Sequence, residues 1–259
     1  MYNFIRTGIL CVMLLVPTAA WATHPLTVQD TYTEGRGNFL LELTGERVKD
    51  DSQKTTQEMA IFTGGVGAHV DLSVEVPYFM LDPSQVTGGT ASGIGDIRIK
   101  LKHQLFENEV KQSMAYRIYA YLPTGNFDKG IGRDNTFWGF NLIDTQECHS
   151  NAFHLNIGYE TRGRDNENWH FIKNFAFTYG FAAEHKFTDS FRLLTELAGE
   201  ARKETNDQTG KRTYSRPITV LAGFVYDISK SWYVDVGARA GMNEDAEDYS
   251  ALVGTAFRF

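Results

Sequence analysis

Cysteine is nearly absent from this 259-residue chain. There are two, Cys11 and Cys148, and only Cys148 lies beyond the first 22 residues. Once that leader is removed no intrachain disulfide can form. Proline is sparse, six in all, and no Pro-rich, Ser-rich or single-residue tract marks a linker, so the rest reads as one domain. No run of about 18 consecutive apolar residues follows the leader, which excludes a membrane-spanning helix there. Basic charge is short as well: 25 Lys and Arg against 32 Asp and Glu give a formal net charge of -7. That balance leaves no patch for nucleic acid. No metal-ligand spacing and no cofactor motif stands out. The acidic run from Asn243 to Asp248 lacks the Gly turn and spacing of an EF-hand.

The leader itself is informative. Residues 1–22 carry Arg6, an apolar stretch from Gly8 to Val16, the helix-breaking Pro17, and Ala20-Trp21-Ala22 as a small-x-small cleavage site. These are the parts of a secretory signal peptide, so the mature chain is expected to begin at Thr23. Cys11 follows the bulky Leu10, which argues against a lipoprotein cleavage site. An exported domain with neither a bridge nor a helical anchor needs another source of stability.

The chain is rich in Phe, Tyr and Gly, with 18, 12 and 24 of each, yet its mean hydropathy is -0.31. A transmembrane barrel reconciles the two, because it puts aromatics in lipid and polar groups in the lumen. Alternation of apolar and polar residues predicts twelve strands, near 37–47, 56–67, 71–79, 94–106, 112–122, 136–145, 151–161, 170–186, 190–201, 214–226, 231–242 and 249–259. Long polar connections at 48–55, 80–93, 123–135, 162–169, 202–213 and 243–248 alternate with short ones at 68–70, 107–111, 146–150, 187–189 and 227–230. Outer-membrane barrels sort their loops in this way, long outside the cell and short in the periplasm, whereas a soluble sandwich has no reason to. The expected fold is therefore an all-β, antiparallel transmembrane barrel over residues 23–259, located in the bacterial outer membrane. Its partners would be lipid and lipopolysaccharide, the outer-membrane assembly machinery and a small-molecule substrate.

Strand alternation also assigns facing. Sets such as Phe39/Leu41/Leu43, Leu72/Val74/Val76 and Phe153/Leu155/Ile157/Tyr159 are expected to face lipid. Candidate lumen-lining residues are Glu42, Glu75, Asp96, Arg98, Lys100, Lys102, Arg117, His154, Glu196, Asp235 and Arg239. The same parity adds Glu58, Asn141, Asn156, Glu160, Glu184, Arg192 and Glu200. Tyr78, Phe79, Tyr121, Trp138, Trp169, Phe187 and Trp232 suit interfacial girdles. Such a lumen must be wet or cross-linked by ion pairs, since an isolated buried charge is very costly. The basic stripe of Arg98, Lys100, Lys102 and Arg117 admits two readings. It could set up a field that favours solutes bearing a carboxylate or another dipole, or it could pair with acids on adjacent strands, Glu75 among them.

The last eight residues, L-V-G-T-A-F-R-F, resemble the C-terminal assembly signal of outer-membrane barrels. Gly254, Phe257 and Phe259 fall in place, while Leu252 stands where a polar residue is usual. A second resemblance lies in the middle of the chain. The run Ser92-Gly93-Ile94-Gly95-Asp96-Ile97-Arg98-Ile99-Lys100, then Tyr121-Leu122-Pro123-Thr124-Gly125, then Gly130-Ile131-Gly132, resembles the outer-membrane family named for the meta-pathway of phenol degradation. That resemblance implies a channel or transporter, some of whose members are encoded beside pathways for aromatic compounds. The glycines also have a plain structural reading, as sites of positive φ or of a bulge where strands meet an outer loop. A phosphate loop is the weaker reading, because Gly93-Ile94-Gly95 opens a strand and lacks the P-loop Lys.

Two other classes compete with a channel. A barrel enzyme acting on lipid would need Ser, His and an acid converging. His154 beside Asn156, and His170 near Asp165, Asn166 and Glu167, do not supply that set, and no catalytic residue is assigned. His69, His103, His149 and His185 sit near strand ends, where no special role is needed. An anchoring or loop-displaying barrel is the third class. The expectation is a porin-like channel or transporter for small organic, hydrophobic or aromatic molecules, and not an enzyme.

Overall fold

The computed structural model describes residues 24–50, 53–81, 91–133, 135–161, 175–205 and 212–259. The expected signal peptide, Thr23, Trp169, His170 and the acidic residues before them lie outside this set. In chain order the described strands are β1 (Phe39–Asp50), β2 (Gln53–Gly65), β3 (Val70–Leu81), β4 (Ala91–Ile94), β5 (Ile97–Glu107), β6 (Gln112–Leu122) and β7 (Phe137–Cys148). They continue as β8 (Asn151–Thr161), β9 (Phe175–Thr188), β10 (Phe191–Thr205), β11 (Arg212–Ser215), β12 (Ile218–Ser229), β13 (Trp232–Gly241) and β14 (Tyr249–Arg258).

Twelve places around a closed barrel hold these fourteen segments. The short β4 continues β5 along the edge of β3, and β11 continues β12 along β10. All pairings are antiparallel between chain neighbours, and β1 closes the ring on β14 from Leu40↔Arg258 to Lys49↔Tyr249. Closure leaves no open edge, as a barrel in lipid requires. The outer surface is the apolar set that the alternation assigns: Leu43, Leu72, Leu155, Phe181, Val236 and Val253 are all exposed there. Trp232 stacks on Phe257 with ring centres 5.7 Å apart, and Phe39 lies against Phe259 at 5.9 Å.

Among the described residues, the first connection differs most from the expectation. Residues 48–55 do not form a long loop, because β1 and β2 pair out to Asp50↔Gln53. Polar residues there continue the ladder beyond the lipid band, so polarity alone misplaced the strand ends. Alternation of long and short connections therefore fails at this first hairpin. At the other end of the barrel the joints are short, for example residues 149–150, 189–190 and 230–231. These two ends are called the loop end and the turn end below.

Candidate functional site in the lumen

Residues 24–38 form no strand. They run along the inner wall at mid-height and down to the turn end, so the lumen contains a plug that the alternation pattern does not announce. His24 Nδ1 lies 2.5 Å from Asp235 Oδ1 on β13. Gly254 on the adjacent β14 leaves room for this pair, since a Cβ there would lie 2.5 Å from Asp235 Oδ2. Glu196 on β10 accepts the backbone N–H of Thr27 at 2.6 Å and of Val28 at 2.7 Å, and also the Thr27 hydroxyl at 2.6 Å. Asn156 on β8 exchanges two hydrogen bonds with the Gln29 backbone, at 2.8 and 2.7 Å. Farther along, Asp30 pairs with Lys102 at 3.2 Å, and Thr31 N–H donates to Thr145 at 3.2 Å. Tyr32 donates its hydroxyl to Glu147. Burial, reinforced by that carboxylate, pushes the Tyr32 hydroxyl well above its ordinary range.

The plug then reaches the wall it must join. Glu34 N–H is directed at Asp71, and Arg258 Nε lies 3.3 Å from the Glu34 carboxylate. Burial raises Glu34 above the usual carboxylate range, an effect that the Arg258 charge opposes. Gly35 and Gly37 take φ of +77° and +85°, the left-handed region that side chains disfavour. With them the chain turns tightly enough for Gly37 N–H to donate to Gly65 at 2.9 Å before β1 begins.

The plug divides the lumen into a dry side and a wet side. Leu26 and Val28 pack with Leu194, Leu221, Val225, Tyr233, Leu252 and other buried residues of β9, β10, β12, β13, β14 and β1. Leu252 is thus part of an apolar core inside the barrel, which explains a leucine where the terminal signature usually has a polar residue. The charged residues that alternation turns inward are only part of the lumen; on this side the inward residues are apolar because they meet the plug rather than water. Strands apolar on both faces, such as Ile218 to Val225, carry the signal for this, since burial on both sides removes alternation.

On the other side lies a cavity of about 230 Å³, bounded by the plug, β1 to β3, β5, β6 and part of β13 and β14. Glu42, Glu75, Arg98, Lys100, Lys102, Arg117 and Arg239 line it. Glu75 is 2 % exposed and stands between two cations of the facing strand: Arg98 Nη1 lies 3.0 Å from Oε2, and Lys100 Nζ reaches Oε1. A buried carboxylate is tolerated when paired in this way. Arg117 donates to Asn141 Oδ1 at 2.8 and 3.2 Å, and Arg239 pairs with Glu46 at 2.7 Å. The ion-pairing reading of the basic stripe thus applies at Glu75 and Asp30, and water-accessible space remains beside it.

Above Glu75, toward the loop end, a second cavity of about 320 Å³ opens between β2, β3, β5, β6 and the connection after β6. Both cavities share Gln57, Met59, Glu75 and Arg98, so the Glu75 pair is the floor of one and the ceiling of the other. The outer cavity is formed by a folded-in loop. Asp96 breaks the strand between β4 and β5 and accepts the N–H of Gly125 at 3.0 Å and of Arg133 at 2.8 Å. The Thr124 hydroxyl donates to Gly95 O at 2.9 Å and accepts Ile97 N–H at 2.9 Å. A Cβ on Gly132 would lie 2.6 Å from Gly125 Cα, so these glycines permit close approach. Gly130 alone of the loop glycines has the positive φ, at +69°. The motif residues Gly95-Asp96, Thr124-Gly125 and Gly130-Ile131-Gly132 are therefore one latch, which buries Ile131 over the mouth.

The remaining sequence-derived sites fall as follows. His154 is fully buried near the turn end, with Nδ1 2.9 Å from Thr145 Oγ1 and Nε2 3.3 Å from Glu184, which also meets Arg192. The nearby cavity is only about 20 Å³, so this row ties β7 to β10 and offers a substrate no room. Asp235 faces the plug, as described. Glu58 differs from its assignment: it is exposed on the outer surface opposite Tyr78, because Gln57, Met59 and Ile61 take the inward parity of β2. Phe79 and Tyr121 are not girdle residues; both line the outer cavity, and the guanidinium groups of Arg98 and Arg133 lie over the Tyr121 ring, at 4.2 and 5.1 Å from its centre. Among the described residues no cluster of His, Cys, Asp and Glu could hold a metal ion.

The family model described as "Putative MetA-pathway of phenol degradation" matches residues 24–259. The COG4313 outer membrane channel from Pseudomonas putida F1 superposes with a TM-score of 0.73 at 13% identity, covering 90% of this chain and 100% of that one. The NanC porin gives 0.61 at 7% identity, covering 84% and 98%, and the KdgM porin solved with disordered oligogalacturonate gives 0.54 at 11%, covering 85% and 99%. At these identities the likeness is one of fold. No curated protein sequence matches.

Proposed function

This chain belongs to the MetA-pathway family of phenol degradation and is an outer-membrane β-barrel, and we propose that it is a channel for small organic molecules with an aromatic or hydrophobic body. The observation that carries this reading is the pair of cavities joined at Glu75 and Arg98. They mark a route from the loop end to mid-lumen, each with room for one small molecule, interrupted by the Glu75 ion pairs and stopped below by the plug. With the loop end outside the cell, as in barrels of this class, a solute would enter past Ile131, cross the Glu75 floor and leave when residues 24–34 shift. Apolar groups line much of the outer cavity, including Met59, Pro77, Phe79 and Leu81, which suits an organic solute better than a strongly hydrated one.

Two measurements test this together. Cells that carry the protein should take up a labelled monoaromatic alcohol faster than cells without it. In planar bilayers, the full mature chain should conduct weakly and a variant lacking residues 24–34 should conduct steadily. Equal uptake, together with silence from a folded plug-less barrel, would sink the channel reading and favour an anchoring role.

A further inference from the structure

We propose that the outer cavity binds a ring-bearing monocarboxylate, its carboxylate held by Arg98 and Arg133 and its ring lying against Met59, Phe79, Leu81 and Ile131; the inference rests on the channel reading above. Four observations point there. First, the guanidinium groups of Arg98 and Arg133 both lie over the Tyr121 ring, and Arg133 also lies over Phe137 at 4.5 Å. Contact with a ring face uses no N–H donor, so each guanidinium keeps donors for a planar, two-oxygen partner.

Second, the acids nearby already face donors or cations, Glu75 Oε2 doing so by charge without a hydrogen bond. Asp96 accepts two loop N–H groups, and Glu75 is shared by Arg98 and Lys100. Glu160 meets Arg133 at only 3.6 Å and also accepts the Tyr119 hydroxyl at 3.2 Å. Third, Arg98 Nε is buried and has no hydrogen-bond partner among the described residues, a donor for which an arriving carboxylate oxygen would be the missing acceptor. Fourth, the facing wall of Met59, Pro77, Phe79, Leu81 and Ile131 is apolar, and about 320 Å³ is at the lower end of ligand-site volumes, enough for one ring with a short substituent. A neutral ring would gain the wall alone, and a small acid the cations alone.

Isothermal titration of the folded full mature chain in detergent, with benzoate, benzyl alcohol and acetate as probes, tests the assignment. Benzoate should bind saturably and both other probes roughly tenfold more weakly or worse, since each lacks one half of the interaction. Arg133→Gln should weaken benzoate roughly tenfold while leaving benzyl alcohol unchanged, and Arg133→Lys should recover part of the loss. Benzyl alcohol binding as tightly as benzoate, indifference to Arg133→Gln, or the absence of saturable benzoate binding would each overturn the proposal. Uptake of a neutral aromatic alcohol despite any of those results would leave the channel reading standing, so the two fail separately.

Discussion

Glu196 holds Val28: its carboxylate accepts the Val28 backbone N–H at 2.7 Å across 168 positions of sequence, and the Thr27 N–H at 2.6 Å beside it. At Thr27 and Val28 the plug is therefore clamped by one buried side chain acting on main-chain donors. Replacing Glu196 by Ala leaves two N–H groups without their acceptor, each costing about 1–3 kcal/mol where water cannot reach. Glu196→Ala should lower the thermal midpoint and raise single-channel conductance, while Glu196→Gln, which keeps an acceptor, should do less of both. An unchanged conductance in the Ala variant would show that Glu196 does not hold the plug.

The latch at the loop end can be opened in the same way. Asp96→Ala removes the acceptor of the Gly125 and Arg133 N–H groups, and Gly132→Ala drives a methyl against Gly125. Both should expose residues 123–136 to limited proteolysis while the barrel stays folded, as seen by its resistance to unfolding in cold detergent on a gel. Proteolysis at the wild-type rate in both variants would show that the loop is held by something else.

Facing can be read directly by labelling. In a Cys148→Ser background, cysteine at Arg98 or Lys100 should react with a water-soluble maleimide in vesicles, and cysteine at Ile99 should not. Arg98 and Lys100 line the cavities, whereas Ile99 is exposed on the outer surface, where lipid replaces water. Labelling at Ile99 with protection at both neighbours would overturn the register, since a shift of one residue exchanges every inward and outward side chain.

Acidity should favour the seated plug at Glu34. Burial raises this carboxyl above its ordinary value, so the folded state holds its proton more tightly than the unfolded chain does. Its stabilising contribution is then fully present below the unfolded value and is lost as pH rises through the raised one. Relative to Glu34→Gln, the wild type should gain thermal stability as pH falls from neutral through that window. A difference between the two that is flat with pH, or that grows as pH rises, would mean that the Arg258 charge governs Glu34 instead.

How much of this was legible in the sequence differs from element to element. The alternation of Phe153, Leu155, Ile157 and Tyr159 with His154, Asn156, Gly158 and Glu160 is local, repeats every two residues and places β8 to the residue at both ends. The same periodicity set the number of places in the barrel and the outward band, because lipid on one side and lumen on the other impose it on each strand separately. It had no purchase on residues 24–38, which have neither period, and it misassigned Glu58 within β2 and Phe79 toward the end of β3, where polarity and aromatic character do not follow the inward parity. What only the tertiary structure decided is the use of the interior: Val28 against Glu196, Leu26 against Leu252, Asp96 against Gly125 and Arg133. Each joins positions far apart in sequence, with no shared pattern to announce the pairing. A membrane dictates the outside of the barrel residue by residue, whereas the inside is settled by which polar groups and apolar side chains meet once the ring has closed.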